Sequence, residues 1–535
     1  MAKQTWNNLT TGHRSLLEPS RAVVWIIGLV LVAVGTLYVL NALEAEYPWV
    51  NHDVGYHTYL GKEMASGARL YVDLAEDNPP GSPLLLGALF VIADALGVPD
   101  FAAQHLFVLT LGLAGFGVLR FALGTRPEGW VWPLTALAYL LVVIRGGFSN
   151  DLFVGAPSIP YDFGQREHLF SLLFVPYVLT RMHRDRSPWW FLMFAGLLGW
   201  VATFKPFWPA MILLVELFVR WRHRAPDWRV PTALVAGLLL PFACLALHSL
   251  DSLTWFVTKT IPTYFRGGYD FYENSYAAFL TTGLHHRMLI GLAACLLAAI
   301  LAVRLKALAP ASIGLLLSLA GLAYFSVWHQ GKFWSYHTMP FFALTVVPAA
   351  FLVSVSLPRL ARPVLGRVLA ALMLVWSGTT VAGTARMLTR YPPLGSFLCP
   401  VVEPFDRVMY FSMSVMVQYP PLKLRREMIG RWTVYMDLPE LLALPDREER
   451  ARRVTAFADA VRSTIERERP ELLVFSPETQ ALPPGASLHD LLQRLDALPL
   501  AGYRSVSART LGATAPWADE WILYVRADPR REPSQ

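Results

Sequence analysis

Apolar stretches approaching the length of a membrane-crossing helix recur along this chain, with short polar connectors between them. They fall at about 22–40, 83–98, 101–120, 131–144, 167–180, 189–203, 207–219, 230–250, 287–303, 308–327, 338–357 and 363–383. A helix that crosses a bilayer takes roughly 17–25 predominantly apolar residues. Several of these runs are shorter and predict half-helices. The pattern is that of a polytopic α-helical membrane protein with about 11–13 transmembrane helices.

The connectors set the expected sidedness. Residues 1–21 are polar and carry Lys3, Arg14 and Arg21. The run that follows exceeds the roughly 7–15-residue core of a signal peptide, so it predicts an uncleaved anchor behind a cytoplasmic segment 1–21. Arginine gathers at 181–186, 220–229, 304–306 and 359–367, and basic connectors stay on the cytoplasmic side. That rule places Lys205, the loops 42–82, 145–166, 251–286 and 328–337, and everything from 384 onward on the outer side. Counting forward from the N-terminus puts 145–166 inside, whereas counting backward from the arginine cluster at 181 puts it outside. The cluster is the stronger signal. One segment among 83–144 therefore either does not cross or hides a second crossing, and the number of spans is odd.

After residue 383 the pattern changes. Residues 446–469 are densely charged with helical spacing and end before Pro470. Residues 472–476 and 521–525 read as strands, and 488–498 as a helix that stops before Pro499. Residues 22–383 thus read as a transmembrane module. Residues 384–535 read as a periplasmic C-terminal soluble α/β domain, a stabilising or acceptor-docking module without a recognisable catalytic motif.

Composition sharpens this picture. Hydrophobic residues make up 54% of the 535, and charged residues only 16%, which excludes a disordered or fibrous chain. The net charge is +7, but the arginines flank apolar runs, so the membrane surface rather than nucleic acid accounts for them. Cys244, Cys295 and Cys399 are far apart, and no CxxC occurs. A disulfide framework or a cysteine-built zinc site is not expected.

Candidate chemistry gathers in the outer loops. Just beyond the first run lies Asn51-His52-Asp53-Val54-Gly55-Tyr56-His57, opening a stretch to Ser66 that suits a short interfacial helix. A carboxylate beside a bilayer is costly unless solvated or used. Asp53 reads either as a solvated acid at a helix start or as a catalytic base. A second acidic group, Glu76-Asp77-Asn78-Pro79-Pro80-Gly81, opens the next run and supplies a base or an orienting partner. Gln165-Arg166-Glu167-His168 begins another apolar run. It is either a cluster that stabilises the helix end or a polar wall for sugar hydroxyls or phosphate. No partner at ligand spacing makes His168 a metal ligand. Lys205 either snorkels to the interface or offers a cation at the level of a lipid phosphate. The loop 259–287 carries Arg266 among tyrosines and histidines, and the turn 328–337 carries Lys332, Tyr336 and His337. The first reads either as an amphipathic interfacial helix or as a loop that binds a phosphate and stacks on sugar rings, and in the second aromatic belts explain the aromatics but not Lys332 with His329 and His337.

Taken together, an acid after the first span, an amphipathic first outer loop, a multispan body and an outer C-terminal domain resemble the GT-C superfamily of membrane glycosyltransferases. The pattern is most similar to the protein mannosyltransferase and aminoarabinose transferase group and its bacterial members. The match is carried by 53–57 through 78–81, by 164–168 and by 331–337, and it covers roughly residues 20–385. Many relatives follow the second acid with His-Pro, where this chain has Glu76-Asp77-Asn78-Pro79.

The resemblance implies a sugar donor on a polyprenyl phosphate, an envelope acceptor (glycan, lipid or protein), and an active site at the outer face of the cytoplasmic membrane. Lys205, Arg266 and Lys332 would meet the leaving phosphate. Asp53 would act as general base in one inverting displacement, with Glu76 or Asp77 as second acid. His57, Asn78, Gln165, Arg166, Glu167, His168, Tyr336 and His337 would bind substrate. Some relatives use divalent ions, and no spacing here demands one. A transporter or flippase of lipid-linked substrates is the rival reading. It would show internal repeats and charges at the bilayer midplane, whereas these polar clusters fall at one face.

Overall fold

The computed structural model describes residues 18–74, 76, 78–124, 130–145, 162–184, 187–222, 227–262, 276–330, 335–360, 363–390, 396–412, 419–424, 426–430, 446–477, 487–513 and 518–527. Helices occupy every one of the apolar runs. They are α1 (Glu18–Glu44), α3 (Gly81–Leu96), α4 (Asp100–Leu123), α5 (Val131–Arg145), α6 (Arg166–His183), α7 (Trp189–Ala202), α8 (Trp208–Arg222), α9 (Arg229–His248), α10 (Gly283–Arg304), α11 (Pro310–Gln330), α12 (Met339–Leu360) and α13 (Pro363–Arg390). The interfacial stretch is α2 (His52–Ala65). Among the described residues, seven helices are long and apolar enough to cross a membrane, and α3, α5 and α7 are shorter apolar helices. The protein is an integral membrane protein. Helix α6 carries Arg166, Glu167 and Arg181, yet nearly its whole length is buried by neighbours, which keeps those groups off lipid.

The described residues form two compact units, one within 1–49, 97–241 and 274–391, the other within 50–96, 242–273 and 392–535. In the first, the transmembrane bundle, backbone proximity is set by glycine. A side chain at Gly237 of α9 would overlap the Gly196 carbonyl of α7, and one at Gly199 would overlap Leu234. Small residues at a helix crossing let two backbones approach, and dispersion then replaces the absent hydrophobic drive. Pro176 lies inside α6 and has no N–H for the Leu172 carbonyl. Tyr139 of α5 donates its hydroxyl to that carbonyl instead, at 2.7 Å. Gly115 of α4 faces the same hydroxyl.

Tyr38 of α1 stacks on His105 of α4 with ring centroids 4.3 Å apart, and Gly35 faces Leu109. The end of α1 therefore lies beside the start of α4. Helix α3 lies in the second unit.

In the second unit, α2 and α3 form a tight pair. An added carbon at Gly61 would stand 2.5 Å from the Gly87 amide nitrogen. The C-terminal sheet has five strands, β1 (Arg407–Phe411), β2 (Glu427–Met428), β3 (Leu472–Phe475), β4 (Tyr503–Val506) and β5 (Ile522–Arg526), in the order β2-β1-β3-β5-β4. Strand β1 runs parallel to β2 and β3, and β5 runs antiparallel to β3 and β4. Alternate side chains divide the core as a two-residue period demands. Met409, Phe411, Leu473 and Phe475 meet α14 (Arg447–Glu468) and α15 (Leu488–Arg494). Val408, Tyr410, Leu472 and Val474 pack on Leu398, Val401 and Trp521. Asp446 caps α14 through the amides of Glu448 and Glu449. The strands expected at 472–476 and 521–525 and the helices expected at 446–469 and 488–498 are present, the last ending earlier, at Arg494. Helix α13 continues to Arg390, past the expected domain start at 384.

Candidate functional site

The expected site residues divide between the two units, and each group is built by its own local chemistry. In the second unit, Asn51 is the N-cap of α2. Its side chain accepts from the amides of Asp53 (3.0 Å) and Val54 (3.4 Å). Asp53 is thus not the cap. It sits in the first turn, where the helix dipole favours a negative charge. Its side chain is 14% exposed, and His52 Nε2 lies 3.3 Å from Oδ1. The group is partly sheltered rather than extended into bulk solvent.

One turn along α2, His57 meets the second acid. Its Nδ1 lies 3.5 Å from Glu76 Oε2, and both side chains are almost wholly buried. The other oxygen, Oε1, accepts from the Asn78 amide and from Asn78 Nδ2, both at 2.6 Å. Tyr71, held at φ +68, donates its hydroxyl to the Asn78 carbonyl at 2.7 Å. A bulky residue with positive φ is uncommon and marks a turn fixed by its surroundings. Glu76 is therefore the organising acid of this loop, and His57, Asn78 and Tyr71 are its frame. Tyr71 carried no signal in the sequence beyond its place in an acidic loop.

In the first unit, Glu167 enters α6 at its first turn. Lys205 Nζ lies 3.5 Å from Glu167 Oε1, and His337 Nε2 lies 4.0 Å from the same atom. Exposure is 3% for Glu167 and 1% for His337, with Lys205 at 11%. Neither carboxylate oxygen of Glu167 accepts a hydrogen bond from any described residue. Three segments far apart in the chain thus place three ionisable groups within ion-pair reach, at distances that leave the carboxylate's lone pairs unmet. Gln165 and Arg166 are buried at the same helix start. The Tyr336 ring packs edge-on against His337, with centroids 4.5 Å apart.

His168 requires a correction. Its Nδ1 accepts from the Gly164 amide at 3.0 Å, and its Nε2 lies 2.9 Å from the Val142 carbonyl. Both nitrogens are taken and the ring is fully buried, so His168 joins α5 to α6 and is closed to a ligand. Asp77, Arg266 and Lys332 lie outside the described residues. Among the described residues no three His, Cys, Asp or Glu side chains gather as a metal cage.

A further buried polar group was not foreseen. Arg181 of α6 forms a bidentate pair with Glu216 of α8, both contacts at 2.7 Å, and the Tyr177 hydroxyl also donates to Glu216. The available signal was a lone glutamate in the apolar run 207–219 facing an arginine-rich connector.

This bundle, with an amphipathic first-loop helix and a small C-terminal sheet, has a GT-C-like fold. Among solved structures it is similar to ArnT, the aminoarabinose transferase, from Cupriavidus metallidurans bound to undecaprenyl phosphate. The TM-score is 0.58 and the identity 15%, covering 96% of this chain and 100% of that one. The same ArnT in its apo state gives a TM-score of 0.49 at 16% identity, over 95% and 98% of the two chains. The archaeal oligosaccharyltransferase AglB from Archaeoglobus fulgidus, in complex with an inhibitory peptide and a dolichol-phosphate, gives 0.37 at 11% identity, over 96% and 75%. No family model and no curated protein matches the chain.

Proposed function

We propose that this chain is a GT-C glycosyltransferase that moves a sugar from a polyprenyl-phosphate donor to an envelope acceptor at the outer face of the cytoplasmic membrane. The observation that carries the reading is the Glu167–Lys205–His337 group. Burying ionisable groups in a membrane bundle is expensive, and such groups mark substrate sites. The ArnT with this fold was solved with undecaprenyl phosphate bound, which supports a lipid phosphate as the anion that Lys205 meets.

In the proposed reaction, an acceptor hydroxyl attacks the anomeric carbon of the sugar. The new carbon–oxygen bond forms as the bond to the phosphate oxygen breaks, with inversion. Asp53 takes the hydroxyl proton. Negative charge grows on the departing phosphate, and Lys205 stabilises it most where it is greatest. Glu167 orients Lys205. Glu76 has one oxygen saturated by Asn78, so it is assigned the orienting role and not that of base.

The test uses the purified full chain, a panel of polyprenyl-phosphate sugars, and release of polyprenyl phosphate as readout. Asp53→Asn is expected to lower transfer by about 10²–10⁴-fold with an unchanged melting profile. Unaltered turnover in that variant removes Asp53 as base. Absence of release by the wild-type chain across the panel overturns the transferase reading and leaves transport or scaffolding.

A further inference from the structure

A cavity of about 570 Å³ lies wholly within the second unit, on the face of α2 that points away from His57. At 100° per residue, Tyr59, Lys62, Glu63 and Ser66 share one side of that helix, and His57, Gly61 and Met64 share the other. Helix α3 supplies Phe90, Val91 and Asp94, and the segment leading into β2 adds Arg426 and Glu427. The volume is that of a small-molecule pocket.

The charges are unevenly satisfied. Arg426 already pairs with Asp406 at 2.8 Å and donates to the Glu403 carbonyl at 2.6 Å, while its Nε is buried and meets no acceptor among the described residues. Glu427 pairs with Arg407 at 3.1 Å. Lys62 lies over the Phe90 ring, 5.7 Å from its centroid. Glu63 is half-buried, and no described residue gives it a cation or a hydrogen-bond donor. Burial, and then the nearby Glu427 charge, push its carboxyl above the ordinary range. An incoming cation would relieve both effects. Asp94, exposed on the rim, adds a second carboxylate. The cavity thus offers carboxylates to a cation and, beside them, Lys62 and the buried Arg426 Nε to an anion. Its apolar border continues along α3, where Val91, Ile92 and Leu96 are 54%, 57% and 72% exposed.

We propose that this cavity binds a phosphate ester that carries a primary ammonium, with Glu63 and Asp94 receiving the ammonium and Lys62 and Arg426 the phosphate. A membrane phospholipid with an ethanolamine head has this chemistry, and the exposed apolar face of α3 would hold its chains. The soluble head alone, O-phosphoethanolamine, shares the chemistry. The proposal is independent of the transferase reading, since none of these groups takes part in the reaction above.

The experiment is native mass spectrometry of the full chain in detergent, titrated separately with phosphatidylethanolamine, phosphatidylglycerol and phosphatidylcholine. The ethanolamine lipid is expected to be retained about tenfold better than the other two, the worth of one hydrogen-bonded charge pair. Glu63→Gln should abolish that preference and leave phosphatidylglycerol retention unchanged. Asp94→Asn, at an exposed site that cannot compromise folding, should weaken it in the same direction. Displacement of the lipid by millimolar O-phosphoethanolamine assigns the site to the head alone; retention against that competitor assigns it to the intact lipid. Equal retention of the three lipids, or a preference that survives both substitutions, overturns the proposal.

Discussion

Glu167 and Glu216 sit in the same bundle, each facing a cation, and their surroundings are opposite. Glu216 is saturated: Arg181 grips it with two 2.7 Å contacts and Tyr177 donates a third bond. Glu167 is open: Lys205 and His337 stand at 3.5 and 4.0 Å, and no described residue donates a hydrogen bond to it. Helix α6 carries partners of both groups, Arg181 toward one end and Glu167 at the other. A filled ion pair in a low-dielectric bundle fixes the relative position of helices, whereas an unfilled one keeps binding capacity for something else. The difference separates a buried carboxylate from a part-buried one, and the two look alike in sequence.

The contrast can be broken by substitution. The largest loss of stability is expected from Glu216→Ala, which strands Arg181 in the bundle at a cost of about 3–5 kcal/mol. Denaturant or thermal unfolding in detergent should show it, with transfer per folded molecule nearly unchanged. A melting point equal to wild type would remove the saturated end of the comparison. Lys205→Met should act the other way round. Transfer is expected to fall by about 10²-fold, as when a charge-stabilising donor is removed, with little change in unfolding. Should unfolding shift as far as for Glu216→Ala, the open cluster is structural after all. Gly115→Ala probes α6 between the two groups. The added methyl would meet the Tyr139 hydroxyl and the Leu172 carbonyl, and overpacking of this kind costs about 1–3 kcal/mol. Unfolding midpoints of the single and paired variants with Glu216→Ala would show whether the contacts couple.

The smallest effect concerns Glu63, an open carboxylate of the second unit. Its folded-state carboxyl binds protons more readily than an ordinary glutamate of 4.5, so its ionisation costs the folded state stability. That cost is present above the folded value and absent below the unfolded one. In delipidated protein, Glu63→Gln should therefore melt slightly higher than wild type at neutral pH. The gain should vanish as pH falls below about 4.5. A gain that grows on acidification would contradict the sign.

Much of the fold was legible in the sequence because its causes are local. Bilayer thickness sets the length of apolar runs, so the twelve helices could be read directly, as could α2 and, in the C-terminal sheet, β3 and β5. Strands β1, β2 and β4 were not foreseen. Strand β4 is largely exposed and β2 is two residues long, so neither carries a clear alternating pattern.

For the candidate site, the sequence determined which residue types were available at which loops. It could not determine their partners. Proximity of Glu167 to Lys205 and His337, the contact of His168 with the Val142 carbonyl, and the Glu76–His57 pair all join positions separated by many residues. The energy of an ionisable group depends on what surrounds it within a few ångströms, and only the folded chain decides that.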